Sequence, residues 1–279
     1  KNVDNVKIKD FLGMYNEQEL PSYMELILGL PEETYDSFIG GVCEVMELGQ
    51  HNYIGIYPLT ALPNTPFGEK EYIEKYGLKI INSYTAFNHY DITEENEFER
   101  EDVVVESNTM TFEEYKKATL FRWVIMFAHY LGTMQYIARF TRKTKDISFK
   151  EFYERLISFI EREEGSFLNE ELNITRKNID GVLAVEQPWG RIVPEVKENF
   201  AWDFEEATAI KIVKNQKQFY TEVRRFLVED IGYLEDDVLE DLLAYQAAAI
   251  IDPAVHYPLN KSYSNNIHQV IHKDKLLER

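Results

Sequence analysis

Hydrophobic residues cluster near the start of the chain in a pattern typical of alternating strands and helices. Tyr23 to Leu30 is a short, nearly continuous apolar run that ends at Pro31, which predicts a strand buried on both faces. Glu33 to Leu48 follows with helical spacing of apolar positions, and Tyr53 to Tyr57 is a second apolar run that ends at Pro58. The order strand, helix, strand predicts a right-handed parallel crossover.

The rest of the chain is predicted to be mostly helical. Three capping boxes, Thr111 with Glu114, Ser148 with Glu151 and Asp203 with Glu206, each indicate a helix start. The predicted helices are 4–15, 111–140, 152–160, 203–228 and 235–250, and the weaker strand candidates are 78–83, 103–105, 181–187 and 267–271.

The predicted fold class is therefore α/β, with residues 1–70 forming an α/β domain and residues 71–279 a helix-rich domain. Two parallel strands do not form a stable sheet alone, and a parallel sheet needs both faces covered. The two strands of the first domain must therefore pair either with some of the weaker strand candidates or with strands outside this chain.

Composition limits the functions that this chain can carry. It has 279 residues with 30 basic and 49 acidic side chains, a net charge of −19, which disfavours binding to nucleic acid or to an anionic membrane surface. No apolar run reaches the ~18 residues that a membrane span needs, and no signal-peptide core is present, so the default expectation is a cytoplasmic protein. The chain opens with Lys1 and a predicted helix, which suggests a piece of something longer.

General catalytic and metal-binding motifs are absent: we find no phosphate-binding or dinucleotide-binding glycine loop, and no HExxH or GxSxG motif. Cys43 is the single cysteine, so the chain cannot form an internal disulfide or a cysteine-ligated metal site by itself. His268 and His272 are four residues apart and form a weak candidate metal pair. His129 lies in an apolar helix and is predicted to be a core residue.

Two stretches resemble a known family. Residues 25–38 read ELILGLPEETYDSF, and residues 54–66 read IGIYPLTALPNTP. They resemble consecutive strand–loop motifs, G-x-P-G-E-T and Y-P-x…P-G-T-P, from the later half of the (β/α) barrel of radical S-adenosylmethionine (SAM) enzymes. The stretches LGQHN at 48–52 and LLAYQ at 242–246 are similar to a subgroup that often carries a cobalamin-binding domain. Glu32 and Asn64 stand where the family usually has glycine.

This resemblance implies the C-terminal half of a partial barrel with parallel strands, followed by a helical region. The family binds SAM and a 4Fe-4S cluster through a three-cysteine loop, which this chain lacks, so the resemblance places the cluster upstream and predicts that the chain alone is inactive. It implies a parent enzyme of oxidoreductase or methyltransferase type, with a small-molecule substrate and, in the subgroup, cobalamin. The residues implied for the adenine pocket of SAM are Ile27, Gly29, Tyr57, Pro58 and Leu59.

Other readings remain open at this point. His89, Tyr90 and Arg122 are candidates for the substrate pocket, because they are polar residues near predicted element ends. The chain could instead be a non-catalytic helical binding or regulatory module with a small α/β lead-in. It could also be a different α/β enzyme that shares only the Leu-Pro-Glu-Glu turn. The sequence indicates neither the substrate nor the oligomeric state.

Overall fold

The predicted strand–helix–strand unit is present. In the computed structural model, β1 (Tyr23–Leu28) and β2 (Tyr53–Pro58) pair in parallel and are connected by α2 (Tyr35–Glu47). Thr34 caps α2, because its side-chain oxygen accepts from the Ser37 N–H while the Ser37 hydroxyl accepts from the Thr34 N–H. This reciprocal cap satisfies two donors that a helix start otherwise leaves unpaired. The structure describes residues 5–85, 89–91, 99–251, 258–273 and 275–278.

Helices make up 55% of the structure, which is mixed α/β as predicted. Besides α2, the helices in the described ranges are α1 (Asn5–Glu17), α3 (Lys70–Tyr76), α4 (Phe112–Ile125), α5 (Gln135–Lys145), α6 (Phe149–Arg162), α7 (Phe167–Leu183), α8 (Phe204–Lys214), α9 (Gln216–Glu229), α10 (Asp237–Ala249) and α11 (Ile267–Lys273). None of them has both the length and the apolar character needed to cross a bilayer.

The other strands of the described residues form small antiparallel sheets. β3 (Lys79–Tyr84) pairs with β5 (Arg100–Glu106), and β7 (Lys197–Trp202) lies between β4 (Tyr90–Asp91) and β6 (Arg191–Val193). Leu59, which directly follows β2, also bonds to β5: its carbonyl oxygen accepts from the Val104 N–H over 2.9 Å. Within the described ranges these sheets do not close into a barrel, so the partial barrel stays a proposal.

Two long helices predicted from the sequence are each broken. Residues 111–140 form α4, then a π-helical turn at Met126–Tyr130, a break at 131–134, and α5. Residues 203–228 form α8 and α9, with the break at Asn215, whose side chain bonds back to the Lys211 carbonyl. A local side-chain hydrogen bond of this kind competes with the helix ladder, and apolar periodicity does not reveal it.

Three strand predictions are wrong in part or in whole. Residues 181–183 belong to α7 and residues 267–271 to α11, because a short apolar run fits a helix as well as a strand. The prediction that β1 is buried on both faces also fails: Tyr23 is 70% exposed and Ile27 43%, while Leu28 is buried. In the described residues one face of the β1–β2 sheet lacks a cover. α7 itself was not predicted.

The chain divides into two compact units. The first comprises Lys1–Trp123 and Ile174–Ala207, and its buried residues include Ile54 and Ile56 of β2. The second comprises Val124–Asn173 and Thr208–Arg279, where aromatic rings from α6 and α9 pack edge to face. These units show where contacts concentrate, and the division into residues 1–70 and 71–279 remains a prediction about which segments belong to a barrel.

Candidate functional site

One face of the β1–β2 sheet exposes apolar side chains. Side chains on a strand alternate between its two faces, so Tyr23, Glu25 and Ile27 share one face of β1, and all three are exposed. On β2, Tyr53 and Tyr57 are exposed while Ile54 and Ile56 are buried. We call the surface made by these five exposed side chains the open sheet face.

Gly55 lies between the two exposed tyrosines of β2 and leaves room for the ring of Tyr57. A Cβ atom at Gly55 would come within 2.6 Å of the Tyr57 ring. The ring therefore folds back over the strand and presents a flat aromatic surface beside Ile27, its register partner on β1. A flat apolar surface of this kind suits a planar ring.

The turn that leaves β1 is held by a half-buried carboxylate, that of Glu33. Glu33 Oε2 accepts from the Gly29 N–H over 3.3 Å, and burial raises the pKa of Glu33, while this bond and one from Leu30 lower it. Gly29 has a φ of +97° and packs against the Val104 carbonyl oxygen and the Tyr115 ring. Glu32 has a φ of +69°, the left-handed region that favours glycine. The turn is therefore kept although Glu32 replaces the glycine of the family motif, at a cost of about 1–2 kcal/mol.

The structure brings the five predicted adenine-pocket residues to one end of the β1–β2 pair. Ile27 and Tyr57 lie on the open sheet face, and Leu28 is paired with Pro58. Leu59 is buried, its N–H donates to the Leu28 carbonyl, and its own carbonyl accepts from Val104. The roles of these residues in binding remain predictions.

A small cavity of about 20 Å³ lies beside the carboxyl end of β2, with room for about one water molecule. Trp189 lines it, and the indole Nε1 of Trp189 is buried without a hydrogen-bond partner in the part of the chain that the structure describes. A buried unpaired donor costs free energy, so this position suits an acceptor atom from water or a ligand. The other lining residues are Leu28, Ile56, Tyr57, Pro58, Tyr115, Thr119 and Arg122.

Arg122 also contacts a group of acidic side chains at the start of α8. Its guanidinium Nη2 lies 2.8 Å from Glu205 Oε1, and both side chains are buried. Burial, with the nearby carboxylates of Glu205 and Glu206, raises the pKa of Asp203 to about 6. Burial also raises the pKa of Tyr53, with smaller effects from Tyr57, Glu205, Arg122 and Asp203.

His89, Asp203 and Glu206 are the residues of the described part that could together hold a metal ion, since their ligand atoms all lie within 4.8 Å of one another. His89 Nε2 and Glu206 Oε2 are 2.5 Å apart, and this hydrogen bond raises the pKa of His89. Glu206 also accepts from the Asp203 N–H over 3.3 Å, which is one of the two hydrogen bonds of the predicted capping box. The start of α8 therefore accounts for the contact between Asp203 and Glu206 without an ion.

Of the predicted substrate-pocket candidates, Arg122 and His89 adjoin this acidic group, while Tyr90 lies in β4 opposite Ala201. The sequence did not predict that Asp203, Glu205 and Glu206 form an acidic group beside Arg122 and His89. The sequence marked Asp203 and Glu206 as a helix start, and pattern alone could not show that Arg122 lies next to it.

Three histidines of the second unit lie in the described residues, and each contacts other side chains. His129 is fully buried and its Nδ1 lies 2.8 Å from the Tyr153 hydroxyl, which confirms the predicted core residue; burial lowers its pKa to about 3. The rings of His268 and His272 stack at 4.6 Å, and His268 Nδ1 bonds to the Tyr245 hydroxyl. Burial lowers the pKa of His272 to about 4.

Comparison with known proteins agrees with the sequence motifs. No family model matches the chain. The chain is 26% identical over 281 residues to the cobalamin-dependent radical SAM methyltransferase TokK of Streptomyces tokunonensis, covering 94% of this chain and 40% of that protein. It is also 26% identical over 265 residues to the 2-(S-pantetheinyl)-carbapenam-3-carboxylate methyltransferase of Streptantibioticus cattleyicolor, covering 91% of this chain and 39% of that protein.

The chain is thus a distant homologue of methyltransferases that include a radical SAM enzyme, over nearly its whole length. It spans about two fifths of the length of these relatives. Radical SAM chemistry was predicted from the strand–loop motifs, and a methyltransferase and cobalamin were among the implied possibilities. All three terms appear in the name of TokK, and the name of the second relative contains methyltransferase alone.

Proposed function

We propose that this chain is the C-terminal part of a cobalamin-dependent radical SAM methyltransferase that acts on a small molecule. The observation that carries the proposal is the parallel β1–β2 pair, whose carboxyl ends hold both family motifs. The similarity to TokK over 94% of the chain supports it independently.

The open sheet face fits the adenosyl group of SAM. Ile27 and Tyr57 are paired neighbours with exposed apolar surface, and Gly55 keeps the Tyr57 ring flat against the strand. In a β/α barrel, ligands bind at the carboxyl ends of the strands, which is where these residues lie. In the proposed enzyme Ile27 and Tyr57 hold the adenine ring and exclude water from it. When bound, SAM supplies the deoxyadenosyl radical and the methyl group.

The residues present do not fit an iron–sulfur cluster. A radical SAM cluster takes three cysteine ligands, and Cys43 is the chain's single cysteine and is buried in α2. We therefore assign no step of cluster chemistry to this chain. In the proposed parent the cysteine loop and a cobalamin-binding domain lie in other segments, and the helical region here shapes the substrate pocket.

The test uses the full-length product of the gene. It is purified without oxygen, reconstituted with iron, sulfide and hydroxocobalamin, and incubated with SAM and a reductant. We expect visible absorption near 400 nm from the cluster, as well as release of 5′-deoxyadenosine and S-adenosylhomocysteine. The carbapenam carboxylate named for the second relative is the first substrate to try.

The control is the 279-residue chain alone, which we expect to form no cluster and to release no deoxyadenosine. A full-length gene product that lacks a three-cysteine loop, or that fails to cleave SAM after reconstitution, would refute the proposal. In that case the helical binding module becomes the better hypothesis.

A further inference from the structure

Arg122 joins the carboxyl end of β2 to the start of α8. Its Nε donates to the Ile56 carbonyl oxygen over 3.0 Å, and its Nη2 donates to Glu205 over 2.8 Å. The Arg122 side chain is 9% exposed and that of Glu205 is 5% exposed. Burying a charged guanidinium and a carboxylate is costly unless they are paired and hydrogen-bonded, and these contacts meet that condition.

The Ile56 carbonyl points away from β1. Leu59 N–H donates to the Leu28 carbonyl, so by alternation residues 55, 57 and 59 direct their backbone groups to β1 while Ile56 directs its groups to the opposite edge. In the described residues, β1 is the sole strand paired with β2 itself. Arg122 therefore occupies the place where a further strand would otherwise bond.

Ile56, whose carbonyl Arg122 contacts, immediately precedes Tyr57 and Pro58 in the chain. Because the guanidinium holds Ile56 at a fixed distance from α4 and α8, it also limits how far the following two residues can shift. A lysine at this position carries the same charge but lacks the planar fork that reaches a carbonyl and a carboxylate together.

We propose that Arg122 is a positioning residue that holds Tyr57 and Pro58 in the orientation in which they contact the adenosyl group of SAM. This inference rests on the proposed function. Arg122 acts through the backbone of β2 and does not itself touch SAM. Glu205 serves it by neutralising the buried guanidinium.

The test measures SAM binding and stability in the full-length, reconstituted protein. The variants are Arg122→Gln, Arg122→Lys and Glu205→Gln, and the readouts are the SAM dissociation constant from equilibrium dialysis, the melting temperature and the rate of deoxyadenosine release. We expect Arg122→Gln to weaken SAM binding about tenfold or more. The SAM affinities of Arg122→Lys and Glu205→Gln should lie between those of Arg122→Gln and wild type.

The matched control is Glu222→Gln. Glu222 is also a buried, hydrogen-bonded charged residue, but it belongs to the second unit, where it accepts from the Phe167 and Leu168 N–H groups. We expect this variant to lower the melting temperature while SAM affinity stays within about twofold of wild type. Arg122→Lys and Glu205→Gln retain a polar group and keep the test informative if Arg122→Gln does not fold.

Two different failures can be told apart. If wild-type protein does not bind SAM, the proposed function falls and this inference falls with it. If wild type binds SAM, and Arg122 variants lose stability as Glu222→Gln does while keeping wild-type affinity, Arg122 is purely structural and the inference is wrong, although the proposed function stands.

Discussion

The two compact units differ in architecture, because every strand of the described residues lies in the first unit and the described part of the second is built of helices. The first exposes apolar side chains such as Tyr23 and Ile27 on the open sheet face, and it gathers three acids at the start of α8. The second buries Gln246 completely, and this side chain accepts from the Tyr136 N–H and donates to the Gly132 carbonyl. The sheet thus gives the first unit an exposed apolar face, whereas the helices of the second bury Gln246 with its hydrogen bonds made.

The largest difference in stability should appear between substitutions on the two faces of the β1–β2 sheet. Ile54 is fully buried on β2, and Ile27 is 43% exposed on β1. We expect Ile54→Ala to lower the free energy of unfolding by about 3 kcal/mol, because it leaves a cavity, and Ile27→Ala to lower it by less than about 1 kcal/mol. Urea unfolding followed by tryptophan fluorescence measures both, since Trp123, Trp189 and Trp202 all lie in the first unit. Equal losses would mean that the open sheet face is covered in solution.

A smaller loss of stability is expected when one buried hydrogen-bond acceptor is removed from the second unit. Glu222→Ala leaves the N–H groups of Phe167 and Leu168 without their acceptor, which should cost about 2–3 kcal/mol. Far-UV circular dichroism during urea unfolding measures the loss. Glu229→Ala is the control, since Glu229 lies on the same helix and is partly exposed beside Arg225. If both variants unfold at the same urea concentration as wild type, the second unit does not depend on its buried polar contacts.

The pH dependence of stability should differ in sign between the two units. Burial, then Glu205 and Glu206, raises the pKa of Asp203 from 3.8 to about 6, so between these values the folded state holds more protons and stability falls as pH rises. Burial, then Arg139, lowers the pKa of His129 from 6.5 to about 3, so between these values the unfolded state holds more protons and stability rises with pH.

Asp203→Asn and His129→Gln separate these two effects. Relative to wild type, we expect Asp203→Asn to gain stability as pH is raised from 4 to 6, and His129→Gln to lose relative stability over the same range. Urea midpoints at half-unit pH steps check both slopes. Parallel profiles for wild type and either variant would show that the substituted residue does not set the pH response.

Several strands and helix starts follow from local pattern. The apolar runs fixed β1 and β2, and the capping residues located the starts of α4, α6 and α8. These signals work because strand burial and helix capping depend on residues close together in the chain. The breaks near Leu131 and at Asn215 were missed, because they depend on local hydrogen bonds that periodicity does not record.

The sequence by itself determined the order of strand, helix and strand, the net charge of −19, the single cysteine and the motifs that resemble radical SAM enzymes. Only the tertiary structure decided that one face of the β1–β2 sheet is open and that Arg122 bridges Ile56 and Glu205. The physical reason is separation along the chain: Arg122 lies 66 residues from one partner and 83 from the other. Contacts over such distances depend on how whole elements pack, and no local pattern encodes them.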